Sequence, residues 1–330
     1  MRFLLRRTGF YLIAFWAAIT LNFIIPRLMP GDPADAYIAK LQGQALSRAQ
    51  LAAIRAEFGV NPDIPLWQQY FNYLSGMLHG NMGIATSQFP TPVLTILQES
   101  LPWTIGLVGV AVILSFLIGT LIGMVTAWRR GSWYDTALPP ILTFLSAAPY
   151  FWMALGLVYV FAVGLSWFPT DSGYDVFSVT PGWNADFIAS VVQHAILPVA
   201  TLVIGSLAGW VLTMRNTMIT TLTEDYVLMA EAKGLSERRV MFNYAARNAI
   251  LPSITSFSIS LGLVVSGSLL TEIVFNYPGI GFALYKGVQG NDYALIEGCF
   301  LVIAVAVLLA NFLSELLYAL LDPRVRQGRS

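Results

Sequence analysis

Between Leu101 and Trp128 no side chain carries a charge. A membrane-crossing helix needs about 20 consecutive apolar residues, and this run supplies them without a break. In lipid the backbone must satisfy its own hydrogen bonds, so only helices and closed barrels cross. Barrel strands are short and alternate in polarity; this run does neither, so it reads as a helix. The rest of the chain agrees. Of 330 residues 56% are hydrophobic and 11% charged, against about 25% charged in soluble domains. The formal net charge is zero, which argues against nucleic acid as a partner. The single cysteine, Cys299, lies in an apolar run and reads as a small buried hydrophobe, with no disulfide framework available.

Five further apolar blocks follow the same logic. The first, Thr8 to Ile25, comes after Arg2, Arg6 and Arg7 and stops at Pro26–Pro33. It is longer than a signal-peptide core and lacks a small-x-small cleavage site, so it reads as a retained first span occupying residues 1–30 with its tip. The others are Thr136–Phe168 (interrupted by Pro139, Pro140 and Pro149), Phe187–Met214, Ser253–Phe275 and Ala294–Leu321. The expected fold is therefore an all-α polytopic membrane protein with six transmembrane helices. Residues 31–100 form a polar region with amphipathic helices expected at Ser47–Phe58 and Leu66–Met77. Residues 101–321 carry five spans, and 322–330 a short tail.

The distribution of positive charge orients the chain. With the N-terminus inside, the inner segments hold Arg2, Arg6, Arg7, Arg129, Arg130, Arg215, Lys233, Arg238, Arg239, Arg247, Arg324, Arg326 and Arg329, which is 13 of the 18 Lys and Arg. The outer segments hold Arg27, Lys40, Arg48, Arg55 and Lys286. Both termini are thus expected in the cytoplasm.

That orientation makes the longest polar helix-compatible stretch, Glu224 to Pro252, cytoplasmic. Tyr226–Lys233 forms a helix that Gly234 can end with a left-handed cap. Ser236 caps a second helix, which begins Glu237-Arg238-Arg239 and runs to Asn248 before Pro252 opens the next span. Such an elbow suits insertion into a groove of another protein; a solvated connector has the same pattern.

Glu231-Ala-Lys-Gly-Leu-Ser-Glu-Arg-Arg239 followed by Arg247-Asn-Ala-Ile-Leu-Pro252 resembles the cytoplasmic loop of ABC-importer permeases, in particular the peptide/nickel (dipeptide and oligopeptide) family. Pro30-Gly-Asp-Pro33, Arg130-Gly-Ser-Trp133, Asp225-Tyr226, Glu272-Ile-Val-Phe275 with Tyr277-Pro-Gly-Ile-Gly281, and Leu321-Asp-Pro-Arg-Val-Arg326 match that family in order. Leu228-Met229-Ala230 replaces the Glu-Ala-Ala of the general importer loop, and the gap from Gly234 to Leu251-Pro252 is about a turn longer. The peptide/nickel branch shares both features. Ala147-Ala-Pro-Tyr-Phe-Trp152 departs from the form associated with peptide permeases.

The resemblance implies a type I importer permease fold. It also implies a second homologous permease subunit as heterodimer partner, two cytoplasmic ABC ATPases, an extracytoplasmic substrate-binding protein, and residence in the cytoplasmic membrane of a prokaryote. It implies no catalytic residue, cofactor or metal on this chain. One independent check is available. A phosphate loop needs G-x-x-x-x-G-K-[ST], yet Lys40, Lys233 and Lys286 each follow Ala or Tyr, so ATP hydrolysis must lie elsewhere. The implied coupling residues are Ala230, Glu231, Ala232, Lys233, Gly234, Leu235, Ser236, Glu237, Arg238, Arg239, Arg247, Leu251 and Pro252.

Polar residues within the spans complete the candidates. Glu272, Glu297, Glu315 and His194 sit in or at the ends of apolar blocks, where charge is costly and often functional. Pairing or a boundary position is the leading reading for each. Ser253, Ser256 and Ser260 share a face that suits helix contact, with Ser256 and Ser260 also candidates for the pathway. His79 and His194 make no metal-ligand cluster. Trp167, Tyr174 and Trp183 read as interface anchors or as stacking platforms for sugar rings. Gly209–Asn216 is similar to oligosaccharide-carrying relatives, so the expected cargo is peptide, with oligosaccharide as the alternative. An ion-coupled secondary transporter would need inverted repeats, and a membrane enzyme a catalytic constellation; neither pattern is visible.

Overall fold

The computed structural model describes residues 2–30, 34, 37–38, 50, 64–264 and 269–321, with the side chains of 2–6, 262 and 313–321 left aside. The helix expected at Ser47–Phe58 lies outside the described residues except for residue 50, as do the tail and the Glu315 side chain. Among the described residues the structure is helical, with one isolated bridge between Ile84 and Pro92. In order the helices are α1 (Arg2–Arg27), α2 (Leu66–Leu78), α3 (Val93–Trp128), α4 (Trp133–Ala147) and α5 (Tyr150–Leu157), which continues as the π-helical turn Val158–Gly164. Next come α6 (Ala185–Thr221), α7 (Asp225–Ala232), α8 (Glu237–Arg239) running through a second π-helical turn, Val240–Ala246, into α9 (Arg247–Ala249), and α10 (Leu251–Gly262). The last are α11 (Leu269–Val274), α12 (Ile280–Gln289) and α13 (Tyr293–Leu321).

Among the described residues four stretches are long and apolar enough to cross a membrane: Arg7–Arg27, Val93–Trp128, Ala185–Thr221 and Tyr293–Phe312. The expected span Thr136–Phe168 is two helices, Trp133–Ala147 and Tyr150–Gly164, bent by 98°. Pro149 imposes this break. It disfavours helical backbone in the residue before it, and Ala148 is extended at ψ 131°. Pro139 and Pro140 leave α4 intact. The expected span Ser253–Phe275 is also not one described helix: α10 ends at Gly262, and α11 covers only Leu269–Val274. α3 begins at Val93, before the apolar run that announced it. α6 outruns its apolar block to Thr221, where Thr217 and Thr221 hydroxyls donate to carbonyls four residues back, each at 2.8 Å.

The chain divides into two units. The unit of residues 1–105 and 265–312 has its core where Val93, Ile96 and Leu97 of α3 meet Ile280 and Leu284 of α12 and Leu295, Ile296 and Cys299 of α13. Each such fully buried aliphatic side chain contributes about 1.5–3 kcal/mol. Gly298 lets α13 lie close, since a Cβ there would sit 2.5 Å from Val93 Cγ1. Helix α2 packs its Tyr70 and Tyr73 rings on Phe23, centroids 5.2 and 5.5 Å away. Its other face exposes Trp67, Phe71 and Leu78.

In the unit of residues 106–264 and 313–330, α4 and α5 both pack on α6. Gly119 and Gly123 bring α3 against α6: a Cβ at 123 would lie 2.5 Å from Val211 O and 2.9 Å from Met214 Cβ. Backbone cannot yield there, so Gly123→Leu is expected to cost about 1–3 kcal/mol by overpacking. A lower melting temperature in detergent, with Gly106→Leu unchanged because open space surrounds Gly106, checks this. Ser115 and Ser206 hydrogen-bond at 2.8 Å between α3 and α6, and Arg215 of α6 pairs with Asp135 of α4 at 2.6 Å.

Candidate functional site

Helix α7 starts after the extended residue Glu224, whose carbonyl accepts from Val227 and Leu228 N–H at 3.0 and 3.2 Å. Gly234 ends it at φ +73°, donating its N–H to Glu231 O at 2.8 Å, while Leu235 N–H reaches back to Ala230 O at 3.4 Å. Ser236 stands in extended conformation at the head of α8, where its carbonyl accepts from Arg239 and Val240 N–H at 2.8 and 3.0 Å. Its hydroxyl makes no capping bond. Ser236 is the N-cap residue, as expected, but its hydroxyl adds nothing and the turn is held by backbone bonds.

The resulting hairpin is two-faced. Val227, Ala230, Val240, Ala245, Ala246 and Ala249 pack with Met124, Met214 and Met218 in one core. Asn248 Nδ2 donates to Tyr226 OH at 2.7 Å, tying α9 to α7. The outer face exposes Glu231, Ala232, Lys233, Gly234, Ser236, Glu237, Arg238, Arg239 and Arg247, and Leu235 is half-buried. Leu228, Met229 and Phe242 lie exposed among them. Among the described residues no ion pair engages Glu237, Arg238 or Arg239. The hairpin thus has a packed apolar underside and, among the described residues, a charged outer side without ion pairs. Leu251 and Pro252 are exposed at the head of α10, while Ser253 is fully buried.

The chain's two N-terminal and core halves each match a family profile. Residues 119–327 match "Binding-protein-dependent transport system inner membrane component", and residues 1–107 match its N-terminal companion. The chain belongs to the binding-protein-dependent transport system inner membrane components. Such a component is a multi-pass protein of the prokaryotic cytoplasmic membrane, and several long apolar helices agree with that setting. The relatives align end to end. A putative peptide permease protein of Brucella suis is 35% identical over 99% of both chains. The dipeptide transport system permease protein of Escherichia coli K12 is 34% identical over 100% of both. The oligopeptide transport system permease protein of Bacillus subtilis is 32% identical over 98% of both.

Within this family member the remaining candidates separate. Glu272 is fully buried. Its Oε1 accepts from Thr104 Oγ1 at 3.0 Å, and its Oε2 from the N–H groups of Gly281 and Phe282 at 2.7 and 3.2 Å. Thr104 Oγ1 in turn accepts from Ile280 N–H at 2.8 Å. A carboxylate on the positive end of α12 is electrostatically favoured, so Glu272 is a structural anchor. Burial, reinforced by Glu272, pushes the nearby Tyr277 hydroxyl up to about 12. Glu297 is paired with Arg27, the alternative weighed for it from sequence. His194 Nδ1 lies 2.8 Å from Ser190 O, as a bonded boundary residue would. Ser256 is exposed and Ser260 half-buried on α10, each in the unit that holds neither glutamate.

Some residues escaped the sequence reading. Asp292 accepts from Ser87 N–H and Oγ at 2.9 and 2.7 Å and from Leu295 N–H at 3.0 Å. The Gly290-Asn291-Asp292 punctuation before an apolar run is the signal that marks it as a helix cap. Thr104 and Asn22 carried no local signal.

Proposed function

We propose that this chain is one transmembrane permease subunit of a binding-protein-dependent ABC importer. It forms half of a translocation pathway for dipeptides or oligopeptides. In this reading the chain has six spans, an even number that keeps both termini on one side, and the excess of Lys and Arg in the inner segments makes that side the cytoplasm. ATP is hydrolysed by two separate ATPase subunits, and a homologous permease completes the pathway by alternating access. An extracytoplasmic binding protein delivers the cargo.

The observation that carries this reading is the two-faced hairpin. Its core-facing side fixes it to α3 and α6, so a push on its outer side moves membrane helices as one body. The residues Ala230 to Arg239, with Arg247, Leu251 and Pro252, make up the coupling element, and Glu237, Arg238 and Arg239 contact the ATPase. Peptide cargo is preferred to oligosaccharide because the full-length relatives named above are peptide permeases.

The test is reconstitution. The purified chain is expected to bring down an ATPase whose rate rises when a peptide-loaded binding protein is added. Stimulation by an oligosaccharide-loaded protein would change the cargo, and uptake under an ion gradient without any ATPase would overturn the class. Reversing Arg238 and Arg239 to Glu together is expected to remove the ATPase from the pull-down and leave membrane insertion unchanged, as read by protease protection.

A further inference from the structure

Arg27, Glu297 and Tyr73 line a cavity of about 310 Å³ between α1, α2 and α13. The Arg27–Glu297 pair uses only half of each group: Nη1 meets Oε1 and also donates to Phe23 O at 2.6 Å. Among the described residues Arg27 Nη2 and Glu297 Oε2 make no hydrogen bond. The Tyr73 hydroxyl accepts from Asn22 Nδ2 at 3.0 Å, which leaves its own proton to donate. Burial raises that hydroxyl's pKa, so the proton stays on at any physiological pH. The cavity therefore offers two donors beside one free carboxylate oxygen. That set fits a zwitterion with an anionic group and an ammonium close together.

A second cavity, of about 230 Å³, adjoins the first at Leu301. Its walls are mostly apolar side chains of α1 and α13, with Ala18, Leu21 and Ile25 on one side and Phe300, Leu301 and Ala304 on the other, and Asn22 is the polar exception. From Arg27 to Ala18 the helix descends about 14 Å, roughly half of the ~30 Å hydrocarbon thickness. One leaflet has that depth. A third cleft, between Tyr11–Phe15 and Val305–Phe312, lies further along α1 from Arg27 and shares no lining residue with the other two.

We propose that the polar cavity and the adjoining apolar cleft together hold one phospholipid with a phosphate and a primary ammonium in its headgroup. The phosphate lies on Arg27 Nη2 and the Tyr73 hydroxyl, the ammonium on Glu297 Oε2, and one acyl chain fills the cleft between α1 and α13. A free phosphate would meet Glu297 with no cation of its own to offset the repulsion. A small zwitterion such as a dipeptide would leave the apolar cleft empty. The assignment to the outer leaflet rests on the orientation proposed above; the site itself does not.

The full-length chain, purified with its co-purifying subunits and stripped of lipid, is titrated by native mass spectrometry without ATP or binding protein. The probes are phosphatidylethanolamine, phosphatidylcholine and phosphatidylglycerol of equal acyl length. One phosphatidylethanolamine per chain is expected, bound roughly tenfold tighter than phosphatidylcholine, whose ammonium cannot donate; this is the worth of one charge-assisted hydrogen bond. Ala304→Phe fills the cleft and is expected to abolish retention of all three lipids. Glu297→Gln is expected to bring phosphatidylethanolamine and phosphatidylcholine to parity. Equal retention of the three lipids by the wild type would overturn the proposal, as would retention unchanged in Ala304→Phe. So would displacement of the lipid by inorganic phosphate, glycerophosphoethanolamine or a dipeptide. Because the readout is lipid mass on the chain, it is separate from loss of the ATPase in the pull-down, which tests the importer reading.

Discussion

Gly234→Val is expected to abolish substrate uptake while leaving the amount of inserted protein near the wild-type level. The backbone at Gly234 sits at φ +73°, and a Cβ there would meet nothing within 4 Å. The cost of substitution is therefore conformational, about 1–2 kcal/mol for a non-glycine residue in the left-handed region, and more for a β-branched one. That sum is too small to unfold a protein held by two buried cores, but it acts on the one turn that aims α8. The chain can relieve the strain only by reopening the Glu231–Gly234 and Ala230–Leu235 bonds, which swings Glu237, Arg238 and Arg239 out of position. Gly234→Asn tolerates the left-handed region and is expected to keep most of the uptake. Binding-protein-stimulated ATPase activity and uptake, measured beside an immunoblot of membranes, decide the matter. Normal uptake by Gly234→Val would sink the coupling role.

The largest stability effect is expected at Glu272. Glu272→Leu removes an acceptor shared by Thr104 Oγ1 and by the Gly281 and Phe282 N–H groups. Each buried donor left without a partner costs about 1–3 kcal/mol, so a total of at least ~3 kcal/mol is expected, with a large fall in folded yield. Glu272→Gln keeps an acceptor oxygen but turns an amide N–H₂ toward groups that also donate, so an intermediate loss is expected. Gly279→Ala should resemble Glu272→Leu, because a Cβ there would strike Glu272 Oε2 and Thr104 Oγ1. Thermal denaturation in detergent checks the order, and a Glu272→Leu protein as stable as wild type would refute it. Thr104→Val combined with Glu272→Leu should fall short of additivity, as contacting residues do.

Four of the spans were readable because membrane crossing is a statement about runs of residues, and runs are local. The same locality explains the hairpin: Gly234, Ser236 and Pro252 punctuate it within thirty or so residues of sequence, and burial then follows helix periodicity. The polar anchors were not readable, for the opposite reason. Thr104 and Glu272 are separated by 168 positions, and Asn22 and the Glu297 carbonyl by 275. No window of sequence contains both partners. Arg27 counted only as an outer charge when it is in fact half of an ion pair, since a charge tally carries no distances. Pro149 was visible as an interruption, but its 98° bend depended on how α4 and α5 each pack on α6. Ser236 holds the N-cap position that its residue type suggests, but residue type alone does not tell whether its hydroxyl joins the cap, and here it does not.

Seven residues, Val240–Ala246, are wound wider than an α-helix on the way from Arg239 to Arg247. A wider turn takes an extra residue to advance the same angle, so this segment sets the phase between the two ends of the stretch. At one end Arg238 and Arg239 face outward; at the other Ala249 faces the core and Asn248 reaches Tyr226. Inserting a single residue into Val240–Ala246, which is already wound wide and cannot absorb it, would turn everything beyond it by roughly 80–100°, setting Ala249 toward solvent or the arginines toward the core. The hairpin thus works as a key cut to one angle, and its shaft tolerates exchanges of side chain far better than an added residue.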